Sequence, residues 1–171
     1  DEVATAMEIG DRAPEGSGVL YTARSNPPGW LQALQVKVTH IPGGFDCPYP
    51  ITIILGPKAQ PHSAMLLQAL ENFVAHKWDL AAPILSYRTL AEDVGTRGER
   101  ERTEELVGDL RIPLYTTQMV LLKNVPVVEE LVQAYHEECE EGQDNDLAFI
   151  RAIYRVKPII WALQRSICYG Q

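Results

Sequence analysis

Positive charge is scarce in this chain of 171 residues: 15 Lys and Arg stand against 23 Asp and Glu, a formal net charge of −8. Proteins that bind a phosphate backbone draw their affinity from cationic side chains, so nucleic acid is not an expected partner. Long apolar runs are missing too. No stretch approaches the roughly 20 apolar residues of a membrane helix, and no transmembrane segment is expected. Cysteine is sparse, with Cys47, Cys139 and Cys168 far apart. An odd count without Cys-x-x-Cys spacing makes neither a disulfide framework nor a zinc site. The expectation is three partly buried thiols, with a bridge such as Cys47–Cys168 only in a secreted protein. No Gly-x-Ser-x-Gly elbow occurs, and His40, His62, His76 and His136 lack the spacing of a zinc helix. His136 and Cys139, three residues apart on one helix, read as surface neighbours rather than a catalytic pair. The chain opens at Asp1 with no initiator Met and no signal-peptide pattern. A processed chain or a fragment is therefore expected, soluble, and either cytoplasmic or luminal after processing.

What remains is enough for one core. With 46% hydrophobic and 22% charged residues, the length fits a single ordinary domain. Residues 1–18 hold charges and glycines without periodicity and are expected to form a mobile leader, leaving residues 19–171 as the domain. Val19 to Ala23 and the alternating Val36 to Ile41 read as strands, with a helical turn at Trp30 to Leu34 between them. Ile51 to Leu55 is a continuous β-branched run, typical of a strand covered on both faces. Ser63 caps a predicted helix to about Trp78, with Leu66, Leu67, Leu70, Phe73 and Val74 on its apolar face. Pro83 to Tyr87 is a weaker strand. Glu92 to Asp109, dense in charge and carrying Gly95 and Gly98, is expected to be a solvated, flexible crossing with a short helix from Thr103 to Val107. Leu114 to Leu122 is the longest strand candidate. Pro126 opens a helix with Val128, Leu131, Val132, Tyr135 and Cys139 on one face, ended by Gly142. Asp144 caps the next, with Leu147, Ile150, Ile153 and Tyr154 at helical spacing. That helix must break near Lys157, before Pro158. Trp30, Trp78 and Trp161 read as core or interface packing. Strands alternating with helices predict an α/β domain with a mixed or mostly parallel sheet flanked by helices.

The most specific local pattern runs from Leu114 to Ala152. An apolar strand through Tyr115-Thr116-Thr117-Gln118-Met119-Val120-Leu121-Leu122 leads into Lys123-Asn124-Val125-Pro126 and an amphipathic helix. A short acidic turn follows, and Gln143-Asp144 opens another helix. This run resembles the C-terminal half of GT-A type, nucleotide-sugar-dependent glycosyltransferases. The resemblance implies a nucleotide-sugar donor, with Thr117 in the substrate-binding strand segment and Gln143 and Asp144 as catalytic residues near the sugar or acceptor. It also implies a divalent cation, Mn²⁺ or Mg²⁺, held against the donor diphosphate to neutralise the departing nucleotide. That family's strand usually carries an Asn and a Gly where Thr116 to Met119 stand here. Its Asp-x-Asp ends an apolar strand, whereas Asp144-Asn145-Asp146 follows an acidic turn. Asp144 and Asp146 are the metal-ligand candidates, yet their context favours a helix N-terminus, with Asp144 as N-cap and Asp146 against the macrodipole. Glu92-Asp93 offers a second, weaker carboxylate pair.

A separate candidate lies between the strand at Ile51 and the helix at Ser63. Gly56-Pro57-Lys58 is not a Walker loop, but ligands of open α/β sheets sit beyond the carboxyl ends of strands, and helix N-termini accept anions. Lys58, His62 and the N–H groups after Ser63 could hold a phosphate there, and Arg24, after the first strand, could meet another. Two functions follow from these residues: a glycosyltransferase-like domain using a nucleotide sugar, or a non-catalytic α/β module that binds a protein partner, including a truncated or degenerate relative of such enzymes.

Overall fold

The computed structural model describes residues 19–22 (backbone only), 51–55, 58–86, 89–139 and 146–169. The helix expected to run to Gly142 ends at Glu138, with Cys139 as its C-cap, and the expected leader over 1–18, the turn at Trp30–Leu34 and the strand at Val36–Ile41 lie outside the described residues. Those residues form strands β1 (Val19–Thr22), β2 (Ile51–Leu55), β3 (Leu80–Pro83), β4 (Met119–Lys123) and β5 (Ile160–Leu163). Helices α1 (Ser63–Ala75), α2 (Arg97–Val107), α3 (Pro126–Glu138), α4 (Asp146–Val156) and α5 (Ser166–Tyr169) accompany them, with a 3₁₀ turn at Ala91–Asp93. The order across the sheet is β1-β2-β4-β3-β5. β1 runs parallel to β2, and β3 parallel to β5; only β4, wedged between β2 and β3, runs the other way. The fold is thus α/β with a mixed sheet, as the alternation of elements predicts.

Side-chain alternation divides the sheet's interior between two cores. On one face Ile51, Ile53, Ala81, Met119 and Leu121 meet Leu66, Leu70 and Phe73 of α1 and Ile167 of α5. On the other, Ile54, Leu80, Ala82, Val120 and Leu122 meet Val128, Leu131, Val132 and Tyr135 of α3 and Phe149 and Ala152 of α4. β4 is buried at all five positions, as a strand covered on both faces must be. A smaller cluster of Ala91, Leu114, Leu147 and Ile150 joins α4 to the crossing before β4.

Several boundaries differ from expectation, each for a local reason. α1 is capped by His62, whose Nδ1 accepts the Met65 N–H at 3.4 Å, and Ser63 is its first helical residue. It ends at Ala75, three residues early. The buried Lys123 ammonium donates to the His76 carbonyl there, a charge suited to a helix C-terminus, and sits 4.9 Å over the Phe73 ring. Val74 faces outward, 37% exposed, and Tyr154 of α4 does the same. β3 starts at Leu80 rather than Pro83. The run from Leu114 is not one long strand: the Gln118 N–H bonds to the Thr116 hydroxyl at 3.2 Å, a local turn that delays β4 until Met119. After Pro158 the chain forms β5 and then α5. α4 does stop at Val156, and Lys157, before Pro158, takes a left-handed φ of 57°.

The largest correction concerns the charged crossing. Arg97 to Val107 forms three turns of helix, not a solvated loop. Thr96 caps it by accepting the Glu99 N–H at 3.3 Å, and Gly108, at φ 87°, closes it with its N–H on the Glu104 carbonyl at 2.7 Å. What holds it against the domain is Arg151 of α4, 1% exposed. That guanidinium donates to Glu138 at 2.8 Å, to Thr103 at 2.9 Å and to Glu99 at 2.8 Å. Arg102 and Arg155 reach the same Glu138 carboxylate at 2.8 and 3.0 Å. Burial opposes the Glu138 charge, but the hydrogen bonds from Arg151 and Arg155 outweigh it and hold the carboxyl below its ordinary range.

Candidate functional site

Because β1, β2, β3 and β5 point the same way, their carboxyl ends gather along one edge of the sheet, together with the amino end of β4. In open α/β sheets this is the edge that takes ligands, since strand-end backbone groups and helix N-termini are left to be satisfied there. Here it is built from four segments. After β2 the chain turns at Lys58, whose backbone N–H donates to the Gln118 side-chain oxygen at 3.2 Å. The same connector is then pinned to the C-terminal helix: the Gln60 N–H bonds to the Cys168 carbonyl at 2.7 Å and the His62 N–H to the Ile167 carbonyl at 3.2 Å. Thr116, two residues before Gln118, shares a 2.9 Å hydrogen bond with the Tyr169 hydroxyl. Its own N–H bonds to the Pro83 carbonyl at the end of β3, at 2.9 Å.

Burial pushes the Tyr169 phenol above its ordinary value, and the charge of Asp146, first residue of α4, adds to that rise. Asp146 is therefore within electrostatic reach of the same edge. Burial also pushes the Cys168 thiol up to about 12, which makes it an inert packing group rather than a nucleophile. Cys168 and Cys139 are free thiols, and Cys47 lies outside the described residues.

Of the residues singled out by the sequence, Lys58 and Thr117 come together, because Gln118 links their segments. Lys58 is exposed. Thr117 is buried, so the half-buried Gln118 presents the more accessible polar group of this pair. His62 is exposed and serves as the cap of α1. Asp146 opens α4; Arg24, Gln143 and Asp144 lie outside the described residues. In the weaker carboxylate pair, Asp93 accepts the Leu90 N–H at 2.9 Å, a capping use, and Glu92 stands beside it in the 3₁₀ turn. Among the described residues no three His, Cys, Asp or Glu side chains gather as a metal site. Asp146 is the described half of the Asp144–Asp146 pair. No helix of the described residues is long and apolar enough to cross a membrane.

Thr116, Gln118 and Tyr169 are side chains of this edge that sequence reasoning did not single out. Nothing local marks them, since Gln118 meets Lys58 across 60 positions and Thr116 meets Tyr169 across 53. No family model, curated protein or solved structure matches the chain.

Proposed function

We propose that the chain is a glycosyltransferase-like domain that takes a nucleotide-sugar donor at the carboxyl-end edge of its sheet. One observation carries this reading: the Lys58 and Gln118 segments are bonded to each other, on the side of the sheet where α/β folds bind anionic ligands. The chain is acidic overall, so attraction for a diphosphate must come from a local cation, and Lys58 is an exposed one. When a sugar is transferred, the bond from its anomeric carbon to the diphosphate oxygen breaks and negative charge collects on the departing nucleotide. A lysine at that oxygen lowers the cost of the charge. Gln118 offers both a donor and an acceptor to the ligand's hydroxyls or phosphates. The resemblance over Leu114–Ala152 assigns Gln143 and Asp144 to the sugar, and it assigns Mn²⁺ or Mg²⁺ to Asp144 and Asp146.

Calorimetry with nucleoside diphosphates and nucleotide sugars, with and without Mn²⁺, tests the reading. Binding is expected, and Lys58→Ala should weaken it by about 1–2 kcal/mol, the worth of one charge-assisted contact. If no nucleotide or nucleotide sugar binds at millimolar concentration in either condition, the enzyme reading fails. The non-catalytic, protein-binding module then takes its place.

A further inference from the structure

α1 carries a second stripe beside the one it buries. Met65, Gln68 and Asn72 follow at helical spacing and line a hollow of about 310 Å³. Trp161 of β5 and Gln164 just beyond it form the facing wall, and Ile167 of α5 also lines it. β5 is the last strand of the sheet among the described residues, so the hollow lies on the flank of the sheet rather than along the strand-end edge.

The lining decides what chemistry fits. The volume is at the lower end of the range for small-molecule sites, about 300–1,000 Å³. No Asp, Glu, Lys or Arg contributes to the wall, so an ionic ligand would lose water without meeting a counter-charge. The polar groups are three side-chain amides, each able to donate and to accept, which suits hydroxyl groups that do both. The aromatic wall is fixed in advance. Trp161 stacks on Trp78 at 4.2 Å and 17°, and Trp78 stacks on His76 at 4.5 Å. An indole already held in its plane gives up little rotamer freedom when a ligand lies against it.

We propose that this hollow is a binding site for a neutral saccharide. The C–H face of a sugar ring lies against Trp161, Met65 and Ile167, and its hydroxyls pair with Gln68, Asn72 and Gln164. Binding here needs no nucleotide at the strand ends, so it is measured without one.

The test uses the full chain with maltotriose, cellotriose, mannotriose and diacetylchitobiose, followed by saturation-transfer NMR and calorimetry. Trigalacturonate serves as the charged control. At least one neutral sugar should bind saturably in the millimolar range, with trigalacturonate about tenfold weaker or undetectable. Asn72→Ala and Gln164→Ala, at exposed positions, should each weaken binding by about fivefold to tenfold, and Trp161→Ala should abolish it. Should Trp161→Ala fail to fold, the double amide variant carries the test alone. The proposal is overturned by no saturable binding of any of the four neutral sugars, by equal affinity for trigalacturonate, or by unchanged affinity in a natively folded double amide variant.

Discussion

On one face of the sheet α1 lays down Leu66, Leu70 and Phe73, an apolar seal. On the other, α3 and α4 contribute a comparable apolar layer, but behind it α2 is fastened by Arg151, Glu138, Glu99 and Arg102. The first face is held by contact that has little direction and tolerates small shifts. The second depends on charges whose partners must stay within hydrogen-bond distance, because a buried guanidinium left without its carboxylate is costly. α2 has a polar sequence with little to bury, so burial alone would not keep it in place; Thr103 is its buried residue. Two layers of similar appearance thus have different weak points.

Removing Arg151 should expose the difference most strongly. Arg151→Met is expected to cost about 3–5 kcal/mol in chemical denaturation, since Glu138 then keeps only its partners from the rim. Adding Glu138→Leu should restore part of that loss, as replacing both members of a buried pair by apolar groups often does. A double variant no more stable than the single one would show that the network is not a coupled unit. On the apolar face, Leu70→Ala should cost about 2–5 kcal/mol, as for a fully buried leucine. A loss below about 0.5 kcal/mol would break the assignment of that face as an apolar seal.

Acid should act on one face only. The Glu138 carboxyl titrates below its ordinary value in the folded chain. Its contribution is therefore complete above the unfolded carboxylate value, roughly pH 4.3, and is lost as pH falls through the lower folded value. Amide exchange should accelerate in α2 before α1 as the solution is acidified, and Glu138→Gln should flatten that response. Simultaneous loosening of both helices would remove the distinction. The smallest effect is expected at the end of α2. Gly108→Ala puts a side chain at φ 87°, where there is open space but the wrong backbone, and should cost about 1 kcal/mol by thermal denaturation.

The sheet was legible where residues carry period and branching together. Ile51 to Leu55 and the face of α3 from Val128 to Tyr135 follow directly from their patterns. α2 was readable as well, from Thr96-x-x-Glu99 at its start and Gly108 at its end, but the density of charge masked those signals. Arg151 could have been noticed as a charge four residues after Leu147, on the stripe that α4 buries. Its partners could not, because Thr103 is 48 positions away. The candidate edge divides in the same manner. Lys58 follows from its place after a strand, whereas the pairing of Thr116 with Tyr169 exists only once β4 and α5 have come together. Spacing in a sequence reports neighbours along a helix or strand, and it is silent about neighbours created by topology.

Among the described strands β4 is fourth in sequence but third across the sheet, and both of its partners, β2 and β3, are made before it. During synthesis the edges of those two strands that β4 will pair therefore stay open until it is made. The five-residue strand at Met119–Lys123 is the piece that closes them, adding hydrogen bonds on both sides and apolar side chains to both cores. Pairing over such long sequence separations is slow to search, and open strand edges are what other chains adhere to in the meantime. A nascent chain released before Lys123 would thus have two sticky strands and neither core complete, which makes the middle of the sheet the last part to become safe from aggregation.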